Sequence, residues 1–378
     1  MTIAILGPDD PALAALQDEI QARPEIDARL DIVPWAEYQA RLQNALSADT
    51  SPYQAVCAPG HMWLPDLVAQ RKLQALDPLL AALPAQRRAD YGPDDILPSV
   101  ARECRVDGAP YMLPLFTDGH LVFYRSDLVT LPKFVCARDW VGIVAGWTLP
   151  EGMWPLALKA DVSEILLDWL PMLWAYGGDV LDPHGQPRFN DALGQRALAA
   201  YRELRAWAHP DSHTFGNNEI AQALASGAVA AAVSWGGQAA AIFDPARNPW
   251  HAQIKTAQLT DPWNATWGIC LPAHQTEESA RRAIEACVAL TGPSFDARVT
   301  RIAGSPTRAG SYSESECARY PWLADQRDML AACRTLPAAA TRGPLLGMLY
   351  RAIHRAFTGQ ASPAEALAEA ARSAGAPL

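Results

Sequence analysis

The chain has 378 residues, a formal net charge of −10 and a 50% hydrophobic content, which is too long for one ordinary core and predicts two domains of roughly 150 to 200 residues. No basic run is present that would neutralise phosphates, which argues against nucleic acid as a partner. No window approaches the roughly 18 consecutive apolar residues of a membrane span.

The N-terminal third alternates strand and helix: a strand over 3–6, a helix over 11–22 opened by Asp9 and Asp10, a strand over 28–33, a helix over 35–46 and a strand over 54–58. This is the α/β rhythm of a mostly parallel sheet. With a strand at the very start and no basic-then-apolar leader before it, the sequence is expected to begin at or close to a mature fold. Ligands of such sheets bind at the carboxyl ends of the strands, which singles out the loops 7–10, 34–35 and 60–63. Trp63 in the last of these could equally cap the core.

Residues 109–128, APYMLPLFTDGHLVFYRSDL, read as two apolar strands separated by the polar break Thr117-Asp118-Gly119, a pattern that suits a crossover between two lobes. Asp118 would then lie over the cleft, where its oxygens could accept ligand hydroxyls. A solvated turn aspartate before glycine is the plainer reading.

Beyond 128 the character becomes helical, with segments predicted over 162–176, 192–208 and 219–225. The second of these is capped by Asn190 or Asp191 and packs Leu193, Ala197, Tyr201 and Leu204 on one face. A short buried strand over 229–235 ends at Trp235 before Gly236-Gly237. An indole there can stack on the C–H face of a sugar or fill space between lobes. Residues 263–272, WNATWGICLP, form another strand. A helix over 277–290, the loop GSPTRAG at 304–310 carrying Arg308, and a helical tail over 344–375 with a capping box at Ser362-Pro363-Ala364-Glu365 complete the chain.

Of the 13 tryptophans, Trp140, Trp147, Trp154 and Trp169 are expected to pack helices, while Trp174, followed by Tyr176 and two glycines, is the better ligand candidate. The seven cysteines are widely spaced with no CxxC, so neither a metal cluster nor a redox motif is expected. His209 and His213 flank a proline and cannot share one helix turn. There is no phosphate-cradling loop, dinucleotide fingerprint or GxSxG elbow. No catalytic residue, metal or cofactor is therefore assigned. A cleft glycosidase remains the enzymatic rival, with Glu151 and Glu164 as candidate carboxylates.

The order of APYMLPLFTDGHLVFYRSDL, AYGGDVLD with its following FND helix, AVSWGG, GSPTRAG and TGQASPAEAL resembles the extracytoplasmic solute-binding proteins of ABC-type sugar importers, the branch with maltose- and trehalose-binding members. The resemblance covers nearly the whole chain and implies an α/β periplasmic-binding-protein fold. Two discontinuous lobes, 1–116 plus 264–304 and 117–263 plus 305–378, would be joined by hinge strands around a ligand cleft. It implies that Asp118 is the hinge carboxylate for sugar hydroxyls, that Trp235 is the stacking tryptophan and that Arg308 lies in the third-crossing loop. Trp63, Trp174 and Trp267 are expected to stack or flank the ligand, and Asn264 to join Asp118 and Arg308 in pairing with hydroxyls. Two segments depart from the family pattern: Tyr53-Gln54 stands where an aspartate is usual, and LPKFVCARDWVGIVAGW at 131–147 replaces the usual entrance to the second lobe.

The function so implied is a monomeric receptor, not an enzyme, that captures a small saccharide by hinge closure and delivers it to the membrane subunits of an ABC importer. A polyol or glycerol phosphodiester is the alternative ligand, an anionic one requiring Arg308 or Arg342 as a fork-shaped partner. The expected compartment is periplasmic or otherwise extracytoplasmic, with a cytoplasmic sensor on the same fold left open.

Overall fold

The computed structural model describes residues 2–47, 51–182, 184–336 and 342–374. Its chain divides into two compact units, Met1–Asp118 with Ala265–Arg319 and Gly119–Asn264 with Tyr320–Leu378. Eleven strands are present among the described residues: β1 Ile3–Pro8, β2 Ala28–Val33, β3 Ala55–Pro59, β4 Arg105–Val106, β5 Ala109–Pro110, β6 Leu113–Arg125, β7 Phe134–Val135, β8 Trp154–Ala157, β9 Val229–Trp235, β10 Ile254–Leu259 and β11 Asn264–Cys270.

In the first unit β1 lies between β2 and β3, parallel to both, and β11 runs antiparallel to β3 with Trp267 opposite Pro59 and Cys270 opposite Val56. Every residue of β1, β3 and β11 is buried, as expected for strands covered on both faces. Helices Pro11–Ala22, Trp35–Ser47, Glu277–Leu290 and Pro293–Ile302 supply the cover. The first is capped as its sequence predicts, Asp10 accepting from the Ala12 N–H. Leu6, Leu13, Leu42, Ile269 and Ile284 share one core with Cys57, Cys104, Cys270 and Cys287. Burial raises all four thiols, Cys287 to about 12, so none is ionised at neutral pH.

The second unit orders its strands β8-β9-β6-β10-β7, with β6 antiparallel to both β9 and β10. Its helices include Ile165–Ala175, Ala192–Glu203, Arg342–Phe357 and Pro363–Ala374. Asp191 caps the second of these through the Leu193 and Gly194 N–H groups, and Ser362 and Glu365 form the expected reciprocal box at the last.

Several expectations are corrected. Thr117-Asp118-Gly119 does not break the chain: β6 runs straight through it for 13 residues. Thr117 is held on both sides, its N–H donating to the Ser305 carbonyl and its hydroxyl paired with Thr266 at 3.0 Å, and Gly119 leaves room for Met329 and the Trp263 carbonyl. The helix predicted over 162–176 starts only at Ile165, and the one predicted over 192–208 ends its regular turns at Glu203. The helical tail consists of Arg342–Phe357 and Pro363–Ala374, the second starting at the capping box. β4 and its hairpin pairing with β5 went unpredicted although Asp107-Gly108 between them is a strong hairpin signal, both residues having positive φ, 50° and 83°. Trp140 and Trp169 are buried as helix packers, but Trp147 lies in a loop and Trp154 sits 37% exposed on β8.

The chain passes between units at 118/119, 264/265 and 319/320, whereas the expected crossings were 116/117, 263/264 and 304/305. The third differs most, because Asp296 ties residues 305–319 to the first unit. Its carboxylate accepts from the Thr307 N–H and hydroxyl, the Arg308 N–H and the Ser311 hydroxyl.

Gly268 marks the tightest approach in the first sheet: a Cβ there would lie 2.2 Å from the Leu113 carbonyl oxygen, a backbone atom that cannot swing aside. Gly268→Ala is therefore expected to lower stability by about 1–3 kcal/mol in urea denaturation. Gly142→Ala, in a helix with open space around it, should be neutral or stabilise by up to about 1 kcal/mol.

Candidate functional site

Each unit carries an aromatic group. In the first, Trp267 on β11 is the centre. Its ring lies 5.5 Å from Trp35, 6.1 Å from Trp63, 6.3 Å from Tyr38 and 6.2 Å from Phe116, the last stacked within 6° of parallel. Trp35 follows β2 directly after Pro34 and opens its helix, 45% exposed. Trp63 follows β3. The loop that carries Trp63 is anchored to β11 by the Gly60 N–H, which donates to the Thr266 carbonyl at 2.8 Å, while the Thr266 N–H donates to Glu103. Gly60 is needed there, since a Cβ would come 2.6 Å from the Glu103 carbonyl. Tyr38 braces the group from inside, its hydroxyl donating to the Leu6 and Cys57 carbonyls. The result is an aromatic wall at the carboxyl ends of β2 and β3, where α/β sheets bind ligands.

In the second unit Trp235 ends β9 and donates from Nε1 to Glu164 Oε2 at 3.0 Å. Lys159 Nζ lies over its ring, 3.9 Å from the centroid, and the His120 ring is 4.2 Å away. Trp263 meets it edge-on at 5.4 Å and is itself fixed by an Nε1 bond to the Leu167 carbonyl. Lys159 is fully buried. Its ammonium is 3.0 Å from His120 Nε2 and 3.6 Å from both Glu164 and Asp168. Burial first, and then the neighbouring ammonium, hold His120 well below its ordinary pKa, so the imidazole is neutral and accepts at Nε2. Burial raises Asp168 to about 6, outweighing the pull of Lys159.

Residues 7–269 match the family model described as bacterial extracellular solute-binding protein. This chain belongs to that family. The solute-binding protein is 26% identical over 323 residues to a mannitol-binding protein of Pseudomonas aeruginosa, covering 75% of this chain and 73% of the relative. Its fold is that of two-lobe periplasmic binding proteins. It matches an ABC transporter solute-binding protein from Agrobacterium radiobacter K84 in complex with ribitol at a TM-score of 0.87, with 18% identity and coverage of 99% and 98% of the two chains. It also matches maltose-bound MalE3 of T. maritima at 0.85, with 17% identity and coverage of 99% and 98%. The family is one of binding receptors, and this member is a receptor rather than an enzyme. Among the described residues no helix is long and apolar enough to cross a membrane, and no group of three or more His, Cys, Asp or Glu side chains is placed to hold a metal ion.

The expected site residues of this solute-binding protein fall into separate settings. Trp63 and Trp267 share the wall of the first unit, and Asp118, half-buried, is the last residue of that unit's first segment; burial first, then Asp296 and Asp118, push the Tyr312 hydroxyl pKa up. Trp235 is buried in the second unit. Trp174 is turned into that unit as well, donating to Asp179 and packing under the Arg334 guanidinium at 4.8 Å. Asn264 is fully buried and accepts from the Cys333 thiol at 2.7 Å.

Arg308 requires a correction. Its side chain is 1% exposed, lies 4.8 Å over the Tyr91 ring and donates to the Gly92 and Thr291 carbonyls. It is a brace inside the first unit rather than a hydroxyl or anion partner. Glu164, a candidate for paired acid–base work in the sequence, is taken by the Trp235 N–H. Sequence reasoning missed Tyr38, Phe116, His120, Lys159 and Trp263, and it noted Trp35 only as part of a rim loop. Lys159 had one readable signal, a lysine inside the apolar run PLALKAD.

Two outcomes follow. Arg308→Met should lower stability by about 3 kcal/mol, because two buried carbonyls lose a charged donor, while the solute affinity of the folded protein stays unchanged. For Asp168, a carboxyl raised above its unfolded value favours the folded chain fully at about pH 4 and below, and that contribution is lost as pH rises through about 6. Urea denaturation across this range should show wild type losing on the order of 3 kcal/mol from this group between about pH 4 and 7, and Asp168→Asn should flatten that slope.

Proposed function

We propose that this solute-binding protein is the receptor of an ABC-type importer, acting in the periplasm or at the outer cell face. Its solute is a small neutral polyhydroxylated molecule, a saccharide or a sugar alcohol. The observation that carries this reading is the aromatic group of Trp35, Trp63 and Trp267 at the strand carboxyl ends, whose indole rings suit the C–H faces of a sugar or polyol chain. The mannitol-binding relative supports the same solute class. Trp235 and Asp118 are proposed to complete the contacts, the first by stacking and the second by accepting hydroxyls. Of the two guanidinium groups that a glycerol phosphodiester would call on, Arg308 is committed to backbone carbonyls, which counts against that solute.

Capture is proposed to work by hinge closure. The chain passes between its units three times, and a solute with higher affinity for one arrangement of the units shifts the population toward that arrangement.

Titration with D-mannitol, ribitol, maltose and glycerophosphocholine, following tryptophan emission and the thermal midpoint together, tests the reading. The expected result is a saturable change in both signals with at least one of the first three and none with the last. Response to glycerophosphocholine alone would overturn it. A preference for the open-chain polyols over maltose would narrow the class to sugar alcohols.

A further inference from the structure

The group around Lys159 is built more elaborately than packing alone requires. A fully buried ammonium carries a large desolvation cost and persists only where partners surround it. Lys159 has four within 4 Å: His120, Glu164, Asp168 and the Trp235 ring. The backbone joins in, since the Lys159 N–H donates to Asp168 Oδ2 at 2.9 Å. The chain holds 31 lysines and arginines, of which four are lysines, Lys72, Lys133, Lys159 and Lys255, and Lys159 alone among them is buried. A sequence that uses arginine almost everywhere keeps here the compact point charge that fits under a ring, where a planar fork would not.

The geometry fixes where these groups lie. Lys159 Nζ and the His120 ring are each about 4 Å from the indole centroid and within hydrogen-bond reach of one another. Groups on opposite faces of the ring would be separated by roughly twice that distance, so both occupy the same side, and neither covers the other. Glu164 Oε2 then does two things at once: it accepts the indole N–H at 3.0 Å and faces the ammonium at 3.6 Å. The ring is thereby fixed in height by the cation behind it and in rotation by the carboxylate at its edge.

We propose that Lys159 and Glu164 are positioning residues that hold the Trp235 indole as a preset stacking face for the solute. This rests on the reading that Trp235 contacts the solute. Holding the ring before the solute arrives removes the cost of ordering it on binding, so the pair acts on affinity through Trp235 and through nothing else.

The test is a double-mutant cycle on the full chain, with Lys159→Met, Glu164→Gln and Trp235→Phe alone and in pairs. It reads D-mannitol, ribitol and maltose affinity, thermal midpoint and the near-ultraviolet circular dichroism of the solute-free protein. Lys159→Met and Glu164→Gln are each expected to weaken solute binding by about tenfold or more in the wild-type background and to add nothing in the Trp235→Phe background. Both should also abolish the dichroic band identified as Trp235 by the Trp235→Phe difference. A purely structural role would move the thermal midpoint, leave the band in place and weaken binding equally in both backgrounds, which would overturn the proposal. Trp235→Phe without effect on a solute that binds would overturn it as well. If no solute binds the wild type, the function reading fails by itself, and the dichroic band still decides whether the pair positions the ring.

Discussion

The antiparallel seating of β11 beside β3 is the constraint on which most of the first unit depends. It is made possible at Gly268, where the Leu113 backbone comes so close that no side chain fits. From that seat, neighbouring residues organise the rest. Thr266 anchors the Gly60 loop and accepts Glu103 as a partner for its own N–H, its hydroxyl meets Thr117 in β6, and Trp267 gathers Trp35, Trp63, Tyr38 and Phe116 around it. A strand that enters late in the sequence thus organises loops contributed by the first third. Such long-range pairing is slow to form and specific once formed.

The second unit relies on a different kind of organisation. Its aromatic centre is held by charge: one ammonium, two carboxylates and a neutral imidazole are closed off together beneath Trp235. Apolar packing would have been the cheaper way to hold a ring in place. Charge gives direction as well as contact, so the indole is oriented as well as packed. The two units therefore hold their tryptophans by different means, edge and face packing in one and a polar cage in the other.

Most of the architecture was legible in the sequence because the signals were local. Alternating apolar runs located β1 to β3 and β9, Asp10 and Asp191 marked helix starts, and Ser362 with Glu365 marked another. What escaped depended on distance. Thr117-Asp118-Gly119 looks like punctuation, yet partners from 263–266, 305 and 329 keep it extended within β6. Arg308 sits in a polar loop that suggests a ligand, while Tyr91, Gly92 and Thr291, remote in the chain, draw its guanidinium inward. The Lys159 cage draws on residues from 120 to 235, and no spacing rule connects them. Tryptophans announce themselves by type, whereas the groups that orient them are ordinary lysines and glutamates made special only by burial.

Cys57, Cys104, Cys270 and Cys287 lie together in the interior of the first unit as protonated thiols. The reactive species of a cysteine is the thiolate, so in the folded chain these four are chemically silent. In oxidising surroundings, such as those of extracellular members of this family, the silence lasts only as long as the core stays closed. Each opening of the unit exposes four potential cross-linking points at once, and a bond made then would trap the opened chain. Local unfolding, reversible in a protein without cysteines, becomes here a step with a chemical memory. In such surroundings the lifetime of the folded chain would be set by how rarely this core breathes, rather than by the depth of its equilibrium stability.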